Sequence, residues 1–68
     1  MKTKEIKELA KKIAQAEYTL RHSDDDNKKA RAQGEILVYS NMIYSMEDMI
    51  AIDEKVTKIL EKLEASDW

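Results

Sequence analysis

Apolar residues recur at helical spacing from the start of the chain. Ile6, Leu9, Ile13, Ala16 and Leu20 are separated by 3, 4, 3 and 4 positions, the seam of an amphipathic helix. Ala10 and Ala14 widen that stripe, and Glu8 with Lys12 and Glu17 with Arg21 stand at i,i+4 in the favourable order. The pattern predicts a first helix over about residues 3–22.

His22-Ser23-Asp24-Asp25-Asp26-Asn27 interrupts the seam. Ser23 and Asp26 fit the S-x-x-[DE] start signature, and three aspartates complement the positive end of a helix dipole. A short loop here makes the flanking helices antiparallel neighbours.

Downstream, Ile36, Tyr39, Ile43, Met46 and Ile50 continue one seam, which resumes as Ile52, Val56, Ile59 and Leu63 after slipping by one position. Leu37, Val38, Met42, Tyr44 and Met49 fill other faces, as in a helix buried on more than one side. Tyr44 to Asp48 holds no Gly, Pro or Asn for a reversal. This reads as one long second helix over about 25–64, with residues 65–68 frayed and Trp68 mobile. The alternative parse starts a third helix near Ser45, where Ser45 and Asp48 repeat the start signature. It gives a monomeric three-helix bundle with a break near residues 44–47.

Composition narrows the class to all-α. The 68 residues include one Gly, no Pro and no Cys, so hairpin punctuation, disulfides and thiolate metal sites are excluded. One domain spanning residues 1–68 is the most this length supports, and such domains bury only about 60% of their unfolded surface. No run approaches the roughly 20 apolar residues of a membrane span, and nothing resembles a signal peptide, so a cytoplasmic location is expected.

In the hairpin reading the first helix is about 28 Å long and the second about 60 Å. Folding back sets Ala16 against Ala30, Ile13 against Gly34 and Leu9 against Leu37 or Val38, with Ala14, Ala16, Ala30, Ala32 and Gly34 letting the backbones approach near the turn. The second helix then overhangs with its greasy far half in water, which a soluble monomer does not tolerate. Two hairpins are therefore expected to pair as a homodimer, in a four-helix bundle or antiparallel coiled coil. The expected interface is Met42, Ile43, Met46, Met49, Ile50, Ile52, Val56, Ile59, Leu60 and Leu63, and the same strip suits a second protein.

Charge is uneven. Residues 1–34 carry nine basic and six acidic side chains, a net of +3; residues 35–68 carry three and eight, a net of −5. Lys4, Lys7, Lys11, Lys28, Lys29 and Arg31 form an alternative nucleic-acid face, in the manner of small dimeric hairpins of the plasmid copy-control kind that bind RNA across paired helices. Glu5, Glu8 and Glu17 alternate with those cations, unlike a strongly basic footprint.

Catalytic chemistry finds no support. His22-x-Asp24-x-Asp26 lacks the length, the glycine and the terminal Glu of a calcium loop, and helix capping accounts for its aspartates. The pairs Glu5/Glu8 and Glu61/Glu64 resemble half of the magnesium-holding E-x-x-E signature of MazG-type all-α nucleotide pyrophosphohydrolases. The second motif that family needs is missing, since Glu64-x-x-Asp67 falls at the chain end. There is no cysteine, no evident triad of serine and orienting acid built around the single His, and no glycine-rich phosphate loop. No cofactor, metal or small-molecule substrate is expected, and the chain is not expected to be an enzyme. The expected role is a small accessory or regulatory protein that occludes or scaffolds a partner protein through its second helix. Chains of this size and composition are common among bacterial, phage and plasmid accessory genes, and by that association regulation or inhibition of a host protein is one candidate role.

Overall fold

The computed structural model describes residues 2–66, all of whose regular structure is helical: α1 (Thr3–His22), α2 (Asp26–Asn41) and α3 (Met46–Ser66). The first seam forms α1 as its spacing predicts. Glu5 lies in the first turn and Arg21 and His22 in the last, matching the helix dipole at both ends.

Asp25 starts α2. Its carboxylate accepts from the backbone N–H of Asn27 at 2.9 Å and, more weakly, of Lys28 at 3.4 Å. Ser23 acts one step earlier than its sequence signature predicts, its hydroxyl accepting from the Asp25 N–H at 3.2 Å. The cap is thus an aspartate held by a serine turn, not a Ser23–Asp26 box.

The chain reverses between Met42 and Ser45, so the unbroken helix over 25–64 is not what forms. The last turn of α2 tightens through i→i−3 bonds, from Met42 N–H to Tyr39 C=O (3.1 Å) and from Ile43 N–H to Ser40 C=O (3.2 Å). Ser45 C=O then accepts the Met49 N–H at 3.0 Å and opens α3. No residue takes positive φ among those described, so this corner needs no glycine. It is a wide corner, anchored by half-buried Ile43 against the core. The phase slip between Met46 and Ile52 falls in the first two turns of α3, just after the break.

The consequence is a different way of covering α3. Leu9, Ala10, Ile13 and Ala14 of α1 form the core with Ile52, Val56 and Leu60 of α3. Ala10 and Ala14 are fully enclosed (0% exposed), and their small side chains let α3 approach closely. Arg21 meets Glu64 at the far end, so α3 runs parallel to α1. α2 runs antiparallel to α1: Tyr39 and Met42 lie beside Glu5, Glu8 and Leu9, while Lys28 and Arg31 lie beside Gln15 and Thr19. The far half of the predicted long helix is therefore covered by its own α1, and the length mismatch that called for obligatory dimerisation is gone.

α1 is the middle of three. No Cα of α2 comes within 8 Å of one in α3 among the described residues. The result is an open layer of 34 × 26 × 16 Å with a radius of gyration of 12.2 Å, against about 11 Å for a compact chain of this length. The three-helix count fits the alternative parse, but the layer leaves a trough between α2 and α3.

The small residues also divide differently from the single cluster predicted at the turn. Ala14 faces α3, and Ala16 and Ala32 line one groove between α1 and α2. Ala30 and Gly34 are exposed, and a Cβ built on Gly34 would meet nothing within 4 Å. Close approach within the chain does not account for that glycine. Of the frayed end expected at 65–68, Ala65 and Ser66 are part of α3, and residues 67 and 68 lie outside the described residues.

Candidate protein-binding surface

Two grooves meet along one side of α1. Glu17 and Arg21 border both, with Gln33, Ile36 and Leu37 on the α2 wall and Asp53, Val56, Thr57 and Leu60 on the α3 wall. Leu20 sits between them at the 36% exposed level. Together they make a trough whose floor is the flank of α1. Where α1 and α3 terminate, Glu17, Glu61 and Glu64 line this groove with Arg21, which pairs with Glu64 at 3.1 Å, while Asp53 lines it about three turns earlier along α3.

The opposite end of the trough is the α2–α3 corner, and it is apolar. Tyr44, Met46, Met49 and Ile50 are all exposed there, Tyr44 at 94% and Met46 at 73%, while exposed Met42 turns to the other groove beside Glu5, Glu8 and Leu9. Isolated exposed apolar side chains are ordinary, but a run of them on a chain this short is not.

The predicted interface residues split into two groups. Met46, Met49 and Ile50 are presented at the corner, and exposed Met42 on the α1–α2 groove. Ile52, Val56 and Leu60 are buried in the chain's own core, and Ile43, Ile59 and Leu63 are half-buried. Those six are therefore structural, because α1 already occupies the face they form. Sequence reasoning missed Leu20 as a surface residue, since it continues the α1 seam past the point where α2 and α3 splay. It also missed Leu37 and Val38, whose positions belong to an outer stripe of α2.

The basic residues gather only in part. Lys28 and Arg31 line a groove between α1 and α2 with Lys12, Gln15, Thr19, Glu35 and Tyr39. Lys4 and Lys7 are in the first two turns of α1, at the far end of the layer, and Lys11 lies midway along it. Lys29 is half-buried rather than presented. The six cations thus do not form one continuous strip.

Glu5 and Glu8 lie on the α1–α2 groove beside Lys12, and Glu61 and Glu64 on the α1–α3 side. The two acidic pairs do not face one another. Among the described residues no three His, Asp or Glu side chains converge so as to hold a metal ion. His22 is exposed at the end of α1, its Nε2 3.6 Å from Glu64 and its ring 4.5 Å from that of Tyr18. No described helix is long and apolar enough to cross a membrane.

The chain matches no protein-family model, no curated protein and no solved structure.

Proposed function

We propose that the chain is a non-enzymatic interaction module that takes a helix of a partner protein into the trough between α2 and α3. The observation that carries this reading is the open layer itself. Three helices are in place, the fourth side is missing, and large apolar side chains are left uncovered beside the polar ones: Leu20, Leu37, Met46, Met49 and Ile50. A partner helix laid there completes a four-helix arrangement in the helix-in-groove manner.

Electrostatics choose the direction. α1 and α3 both end at the carboxylate-rich end of the trough, adding the negative ends of two helix dipoles to Glu17, Glu61 and Glu64. A partner helix running antiparallel to α1 sets its positive N-terminal end there, helped by Lys or Arg in its first turns. Its apolar half then lies against Met46, Met49 and Ile50, whose flexible methionines adapt to the side chains they meet. Regulation or inhibition of that partner by occlusion follows from such capture, and no cofactor enters it.

The test is capture from the native host with mass-spectrometric identification, comparing the natural chain with Met49→Asp/Ile50→Asp and with Lys4→Glu/Lys7→Glu/Lys11→Glu. The reading expects a protein that the aspartate variant loses and the glutamate variant keeps. Capture that survives the aspartates contradicts it. The nucleic-acid alternative rests on the groove that joins Lys12, Lys28 and Arg31. It predicts a gel shift that weakens with salt at a slope of about −0.9 per phosphate contacted.

A further inference from the structure

The outward side of α2 carries a second seam. Asn27, Ala30, Gly34, Leu37 and Asn41 follow one another at spacings of 3, 4, 3 and 4, with Val38 beside Leu37. All six are exposed. They lie half a turn around from Ala32, Ile36 and Tyr39, the residues that α2 turns toward the rest of the chain. None of the six is charged, in a chain where 38% of residues are. A solvated helix face is ordinarily where the charges go. Here Lys28, Arg31 and Glu35 stand to one side, in the α1–α2 groove.

We infer that this seam is where a second copy of the chain docks, α2 against α2 in antiparallel order, with the two-fold axis passing by Gly34. The inference goes beyond partner capture in the trough and uses a different face. Its argument is the self-complementarity of the register. With Gly34 at the crossing, Ala30 of one copy stands level with Val38 of the other, a small residue opposite a large one. Asn27 stands level with Asn41, so each end of the seam offers an amide to an amide. Leu37 stands level with Arg31, whose alkyl stem covers apolar surface while its head stays wet. Gly34 has nothing within 4 Å in its own chain, which leaves its backbone open to the second helix at the point of closest approach.

Charge fixes the orientation. Lys28, Arg31 and Glu35 lie on one flank of the seam, and antiparallel two-fold pairing sets that flank against itself, so Arg31 of one copy comes beside Glu35 of the other, opposite charges together. Antiparallel pairing sets them level with Ser40, Leu37 and Gln33. It also brings Lys28 and Arg31 to the C-terminal end of the other α2, whose last turn has no basic residue of its own. The contact is one pair of 16-residue helices, a small interface of the weak, concentration-dependent kind.

The test is sedimentation equilibrium of the full chain from about 1 μM to about 1 mM, beside cysteine cross-linking. The expected result is a monomer at the low end and a dimer at the high end. Gly34→Lys, which has open space and a better helix former, keeps its helical circular dichroism and stays monomeric; Val38→Asp does the same. The chain has no cysteine, so single cysteines report geometry cleanly, bridging only when their Cα atoms come within about 7 Å. With diamide as oxidant, a mixture of Asn27→Cys and Asn41→Cys chains forms the mixed disulfide. Asn27→Cys alone forms little. A monomer throughout, a dimer that survives Gly34→Lys, or efficient Asn27→Cys self-linkage overturns the inference. Loss of partner capture through Met49→Asp/Ile50→Asp is a separate outcome, because those residues lie off this seam.

Discussion

The guanidinium of Arg21 donates to the carboxylate of Glu64 at 3.1 Å, tying the last turn of α1 to the last turn of α3 across 43 positions of sequence. Two parallel helices put two negative dipole ends side by side, and α3 has no basic residue in its own last turn. Arg21 supplies the missing cation to both. The pair is exposed, with side chains 55% and 39% accessible, so water and salt weaken it. Arg21→Ala is expected to lower stability by about 0.2–1 kcal/mol. Urea melts in low and high salt check this, the difference between the two proteins shrinking as salt rises.

The tight place in the molecule is where Ala10 and Ala14 meet α3. Ile52, the largest fully buried side chain, packs in that core. Ile52→Ala removes buried methyl groups and leaves a cavity, at a cost of about 2–5 kcal/mol. Ala14→Leu pushes α1 and α3 apart at a cost of about 1–3 kcal/mol. A domain of this length holds only about 3–10 kcal/mol in all. Thermal melts by circular dichroism should show Ile52→Ala largely unfolded at 37 °C, and Ala14→Leu folded with a lower Tm.

Asp25 holds the start of α2, the helix that buries only Ala32 among its described residues. With so little packing to support it, α2 depends on its cap. Asp25→Ala is expected to cost about 1 kcal/mol, and Asp25→Asn much less, since its amide oxygen caps equally well. Native-state hydrogen exchange checks this by residue, with faster exchange in α2 and little change in α1 and α3.

Gly34 is the converse case. Within one copy it spends helix propensity and gains no contact. Gly34→Ala at about 1 μM chain, where self-association does not contribute, should stabilise by about 0.5–1 kcal/mol. That corresponds to a Tm rise of roughly 2–8 °C, read by the same thermal melts.

The sequence exposed much of this organisation through local patterns. The α1 seam, the break at His22–Asn27 and the apolar content of residues 36–63 all depend on periodicity and capping, which act over a few positions. The corner at Met42–Ser45 was harder to see because it uses no glycine, proline or positive φ. Its sign was the repeated Ser45-x-x-Asp48, while the slip in the seam falls a few residues later, inside α3. Which apolar residues would be used internally was not legible at all. Ile52 and Ile50 are two positions apart and equally greasy, yet one is buried and the other exposed, and only the place of α1 decides between them. The outer seam of α2 was hidden for a related reason. Leu37 and Val38 sit within an apolar stretch whose other members, Ile36 and Tyr39, point the opposite way.

The reversal at Met42–Ser45 is what makes the chain cover its own third helix, and one distance tests it directly. Spin labels on Asn27→Cys and Lys62→Cys, diluted with excess unlabelled chain so that only one molecule is sampled, mark the start of α2 and the end of α3. An open layer folded on α1 holds them at the same end, within its 34 Å long dimension. A single rod from residue 25 to residue 64 would hold them about 50 Å apart. A pulsed dipolar distance distribution below 34 Å is the predicted result, and one centred near ~50 Å would contradict the fold and the trough built on it.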